Sequence, residues 1–159
     1  MSLQLTQFPI ASTGMLIRRP VADVFDAFVD PRITANFWFT HGSGRLEVGK
    51  TVQWTWEMYG VTSDVTAKAI EPNARLLIEW SGDSTRTTVQ WTFAAIEGDA
   101  TFVSITESGF AGSGDEIMKQ VADSTEGFAL VLAGAKAFLE HGLRLGLVAD
   151  RHPKRIEPR

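Results

Sequence analysis

The chain of 159 residues has no cysteine, a single tyrosine and only three histidines. The missing cysteine excludes disulfides, thiolate metal sites and a cysteine nucleophile together, and it fits a reducing cytoplasm. His41, His141 and His152 are too far apart in sequence to show ligand spacing, so no metal site is expected. Long apolar runs are absent as well. Nothing approaches the roughly 18 continuous apolar residues of a membrane helix. Met1 to Phe8 lacks both the basic region and the apolar core of a signal peptide. The expected location is therefore cytoplasmic, without membrane association. A basic face is also lacking: the formal net charge is -4 and spread along the chain, which argues against a nucleic-acid partner. There is no Gly-x-Ser-x-Gly elbow, no P-loop and no dinucleotide fingerprint, so neither a catalytic residue nor a cofactor is assigned.

What is present is a core. A hydrophobic fraction of 44% in a chain of ordinary domain size predicts one soluble domain over residues 1–150. Residues 151–159 gather Arg151, His152, Lys154 and Arg155 around Pro153 and Pro158, and are read as a flexible basic tail.

Periodicity divides the domain. Ile10 to Arg18 reads as a strand. After Arg19-Pro20, Val21, Val24, Phe25 and Phe28 recur at helical spacing, with Pro20 in the first turn; Asp30-Pro31 then opens a second short helix through Ile33 and Phe37. Past Gly42-Ser43-Gly44 the period changes to two. Val52, Trp54, Trp56 and Met58 mark one strand, and Val61 to Ile70 the next. Leu76, Ile78 and Trp80 follow, then Val89, Trp91 and Phe93, then Val103, Ile105 and Glu107. Turns at Tyr59-Gly60, Glu71-Pro72-Asn73, Gly82-Asp83-Ser84 and Gly98-Asp99 make these five strands an antiparallel meander. From Gly114, an apolar stripe from Ile117 through Val121, Thr125, Phe128, Leu132, Ala135 and Leu139 to Leu143 predicts a helix of about 30 residues, about 45 Å long. A sheet with one apolar face and a helix with one apolar stripe bury both by packing together, which is an α+β arrangement.

The stretch Arg19-Pro20-Val21-Ala22-Asp23-Val24-Phe25-Asp26-Ala27-Phe28, with Asp30-Pro31 and Phe37-Trp38 behind it, resembles the opening of the START-like (SRPBCC, Bet v1-like) superfamily. It is most similar to the branch named after the activator of heat shock protein 90 ATPase. Gly49 before Trp54 and Trp56, Glu71-Pro72 before Leu76 to Trp80, and Thr106-Glu107-Ser108-Gly109-Phe110 agree in order and spacing, from about residue 12 to 145. The resemblance implies a helix-grip fold, a curved antiparallel sheet wrapped around a long C-terminal helix with a cavity between them. Two departures stand out. Gly127-Phe128 replaces the family's frequent Gly-Trp, and the additional N-terminal domain of the eukaryotic co-chaperone has no counterpart here, so co-chaperone activity is not carried over.

The aromatic set is the most informative chemistry. Trp54, Trp56, Trp80 and Trp91 take the apolar parity of their strands, so each either packs the core or walls a ligand cavity with an indole N–H to offer. Trp38 and Phe128 join the candidate lining. Glu107 shares parity with Val103 and Ile105, which points its carboxylate at the apolar side. Such a group is costly unless paired. It is either a structural pair or a ligand-orienting or general-base carboxylate. His41 and Arg45 border the expected cavity entrance, or lie in a solvated loop. Phe110, in the Gly109 to Gly114 connection, is a candidate gate. These residues predict a non-catalytic binder of a small hydrophobic or amphipathic, aromatic or lipid-like ligand. The alternatives are a polyketide cyclase-like enzyme using Glu107 with His41 or Arg45, and a chaperone- or stress-related interaction module. The chain is compatible with a homodimer, and a chaperone partner has only the family name behind it.

Overall fold

The computed structural model describes residues 1–81 and 86–153. Strand β1 (Ala11–Ile17) leads into helix α1 (Val21–Val29) and the single-turn α2 (Pro31–Thr34). The two-residue β2 (His41–Gly42) precedes β3 (Thr51–Trp56) and a 3-10 turn at Glu57–Tyr59. Then come β4 (Val61–Glu71), β5 (Arg75–Ser81), β6 (Arg86–Ile96) and β7 (Ala100–Ser108), the long helix α3 (Gly114–His141) and a short α4 (Leu147–Arg151). The seven strands form one antiparallel sheet in the order β1-β7-β6-β5-β4-β3-β2. The meander read from the sequence runs from β3 to β7, and β1 returns to pair with β7 at the far edge. The helix-grip arrangement is observed.

Local chemistry explains the boundaries. Pro20 stands at the N-cap of α1, one position before the first turn assigned to it. Asp30 caps α2 by accepting from the Arg32 N–H, and Pro31 occupies N1, where a missing amide hydrogen is harmless. That helix stops at Thr34, short of the expected Phe37, and the chain continues in tighter turns, with the Asn36 N–H donating to the Ile33 carbonyl and the Phe37 N–H to that of Thr34. Strand β3 ends at Trp56, two residues before Met58. The Glu57 N–H donates to the Thr40 hydroxyl, and Gly60, at φ +62°, closes the 3-10 turn in a conformation open to glycine. The Gly82-Asp83-Ser84 turn lies outside the described residues.

Helix α3 begins with a capping box: the Ser113 hydroxyl accepts from Glu116 N–H while the Glu116 carboxylate accepts from Ser113 N–H. It ends at His141, since Gly142 adopts the left-handed C-cap, and Leu143 leaves the predicted stripe to lie exposed. The helix runs against β1, where Lys136 Nζ donates to the Leu16 carbonyl at 2.8 Å and pairs with Glu140 at 2.6 Å. A bulge at Lys68, where Ala67 faces Ile78 but Ala69 faces Leu77, interrupts the ladder of β4 and bends it. The core lies between the concave face of the sheet, α1 and α3. Its fully buried large side chains include Ile17, Phe28, Phe39, Trp54, Leu76, Trp91 and Leu132.

Candidate functional site

Trp38 follows α2 and lies at the centre of an aromatic cluster. Its ring centroid is 5.0 Å from Trp54, 5.8 Å from Trp80, and 6.0 Å from both Trp56 and Trp91. Phe128 of α3 completes the group at 5.7 Å. Most of these pairs are edge-to-face or tilted, the arrangement favoured by aromatic quadrupoles. All five tryptophans thus meet in one place, contributed by the α2 loop and three strands.

Beside this cluster is a cavity of about 420 Å³. Trp38, Trp80, Phe128 and Val131 form its apolar walls, and Glu107 and Ser124 its inner polar side. Tyr59, Asp123, Glu126, Gly127, Leu130, Val148, Arg151 and His152 complete its lining. A space of this size accommodates a small organic molecule.

Glu107 is 6% exposed and is held from two directions. Trp80 and Thr87 are cross-strand partners, and Val89, two residues beyond Thr87, faces Glu107; the pleat therefore puts all three polar groups on the concave face. Trp80 Nε1 donates to Glu107 Oε2 at 2.8 Å, and the Thr87 hydroxyl donates to the same oxygen. From the helix, the Ser124 hydroxyl donates to Oε1 at 2.5 Å. The carboxylate bridges sheet and helix through three neutral donors, and no ion pair to it is present among the described residues.

At the mouth, α4 lies between the β3–β4 turn and α3. The Tyr59 hydroxyl donates to the Val148 carbonyl, and its ring centroid is 6.3 Å from His152. Burial pushes the Tyr59 phenol up from its ordinary value. Arg151 makes a two-point contact with Glu126, which holds the Glu126 carboxyl below its ordinary value. Arg151 and His152, assigned by sequence to a flexible tail, are thus part of the mouth; Lys154, Arg155 and Pro158 lie outside the described residues.

Of the residues singled out in the sequence, Trp38, Trp80, Glu107 and Phe128 line the cavity. Trp54 and Trp91 are buried behind it at 1% and 0% exposure, and Trp56 is also core. The Trp91 indole N–H has no hydrogen-bond partner among the described residues. His41 is an exposed edge residue paired with Thr55, and Arg45 pairs with Asp26 at 3.0 Å; neither lines the cavity. Phe110 is half-buried and does not line it either. Ser124 escaped notice although it stands four residues before Phe128 on the inner helix face. Tyr59 and Arg151 left no periodic signal, because turns and a one-turn helix bring them in. Among the described residues no group of His, Asp or Glu side chains could hold a metal ion, and no helix is long and apolar enough to cross a membrane.

Residues 18–140 match the family described as activator of Hsp90 ATPase homolog 1-like protein. The chain belongs to that family. Solved structures of similar fold agree with this membership. A structural-genomics target from Staphylococcus saprophyticus is 30% identical, with a TM-score of 0.74 over 86% of this chain and 96% of its own. DynU16, a protein of the dynemicin biosynthetic locus, is 25% identical with a TM-score of 0.75; the match covers 85% of this chain and 48% of DynU16. The Aha1 dimer from Colwellia psychrerythraea, at 20% identity and a TM-score of 0.72 over 84% of this chain and 98% of its own, shares the fold. No curated protein matches the chain.

Proposed function

We propose that this member of the activator of Hsp90 ATPase homolog 1-like family binds a small, partly aromatic molecule in the cavity between α3 and the sheet. The observation behind this reading is the combination of Trp38, Trp80 and Phe128 with a buried, hydrogen-bonded carboxylate in one 420 Å³ space. Apolar walls with a few fixed polar groups are what a small-molecule site requires. The acid–base alternative has less behind it. Neither His41 nor Arg45, the partners it would require, lines the cavity. A cytoplasmic binder, acting as a monomer or homodimer, is the accompanying expectation.

Intrinsic tryptophan fluorescence tests the reading, titrated with fatty acids, sterols, flavonoids, small aromatic polyketides and aromatic amines. A saturable change that Trp80→Ala diminishes, in protein that stays folded, is expected. A flat response across the panel would favour a protein-interaction role, and partner capture would then be the relevant experiment.

A further inference from the structure

Glu107 is a charge-bearing side chain placed where charge is expensive. It is 6% exposed, its hydrogen-bond donors are all neutral, and no basic group pairs with it among the described residues. Hydrogen bonds lower the cost of burying a carboxylate, but they do not supply a counter-charge. A carboxylate has about four acceptor positions, and three donors leave room for one more. Glu107 lines the cavity, so a ligand can reach it.

The rest of the cavity has the same preference. Asp123 and Glu126 add two acids to its lining, against His152 and Arg151, the latter already engaged by Glu126. Trp38 and Trp80 wall the same space, and indole rings attract cations through their quadrupole. Aromatic walls, a missing counter-charge and a spare acceptor make one consistent set of demands.

We infer that the cavity selects ligands carrying a protonated amine, with the ammonium at Glu107 and an aromatic body between Trp38, Trp80 and Phe128. This rests on the cavity being a ligand site, and it adds the chemical class of the ligand. Anionic ligands such as fatty acids are disfavoured by the same geometry.

Three probes with one aromatic body separate the terms: 2-(1-naphthyl)ethylamine, 2-(1-naphthyl)ethanol and 1-naphthylacetic acid, titrated calorimetrically at pH 7.5. The amine is expected to bind about tenfold more tightly than the alcohol, as for a charge-assisted hydrogen bond combined with a cation–π contact, and the acid most weakly. In Glu107→Gln the ratio of amine to alcohol affinity should fall to about two- to fivefold or less, the part left to the cation–π contact. Equal affinities, or an acid that binds best, overturn the amine inference while leaving the cavity a binding site. An amine preference that survives undiminished in Glu107→Gln overturns the role of Glu107. Binding by none of the three overturns both the cavity reading and this one. The ranking in the unaltered protein needs no variant, so a poorly folding Glu107→Gln does not shield the inference.

Discussion

Glu107 joins the sheet to α3 through side-chain hydrogen bonds, as Lys136 does through the Leu16 carbonyl. Its Oε2 is bound from the sheet and its Oε1 from α3. Glu107→Ala leaves the Ser124 and Thr87 hydroxyls and the Trp80 indole without their shared acceptor, and should destabilise the fold by about 1–3 kcal/mol in urea denaturation. An unchanged midpoint and slope would mean that water replaces the carboxylate at no cost. Trp38 makes a different kind of contribution. It is 6% exposed and within 6.0 Å of every other tryptophan ring, so Trp38→Ala should cost about 3–5 kcal/mol and broaden the cavity. The sequence shows which face Glu107 takes, because its parity with Val103 and Ile105 is unambiguous. It does not show the three donors. Thr87 and Ser124 reach the carboxylate through strand register and helix rotation, which one strand's alternation does not contain.

At the scale of elements, α3 depends on its ends. The reciprocal contacts of Ser113 and Glu116 satisfy two helix-terminal donors, and Ser113→Ala should lower stability by about 1 kcal/mol, read as a shift in the thermal midpoint. The short α4 matters for access. Its Arg151–Glu126 pair is about half exposed on both sides, and such a pair adds little to folding. Arg151→Ala is therefore expected to leave the thermal midpoint nearly unchanged while speeding ligand dissociation in stopped-flow measurements. Equal dissociation rates would show that α4 does not control the mouth. Helix α3 was legible because 3.6-residue periodicity persists over most of its length. Helix α4 was not, because Leu147–Arg151 is too short to show a period and is followed by basic residues that read as solvated.

Over the whole molecule, two carboxyls tie the acid response to the fold. At Asp30, hydrogen bonding from Arg32 outweighs burial and lowers the carboxyl from its ordinary value. At Glu140, burial alone would raise it, but the Arg18 N–H and the Lys136 ammonium prevail, and the net direction is down. Both groups are depressed by folding, so their stabilisation is fully present above the ordinary carboxylate range near pH 4 and is lost as pH falls through their lowered values. Glu140→Gln should flatten the fall of stability below about pH 4 in urea midpoints. An unchanged slope would place the acid sensitivity elsewhere. The overall architecture was legible at this scale because helices and strands segregate along the chain and each has one apolar side. The division of tryptophans between core and cavity was not. Trp54, Trp80 and Trp91 have equivalent parity, and only the curvature of the sheet and the path of α3 leave Trp80 at the open side.

That division is also the most direct test of a ligand cavity. Each of the five tryptophans has one indole N–H, and a nitrogen–proton correlation spectrum resolves them individually. On titration with 2-(1-naphthyl)ethylamine, the Trp80 and Trp38 indole signals should move most and saturate together, while Trp54 follows weakly. No movement in any indole signal, or movement of Trp54 without Trp80, would contradict a site between α3 and the sheet.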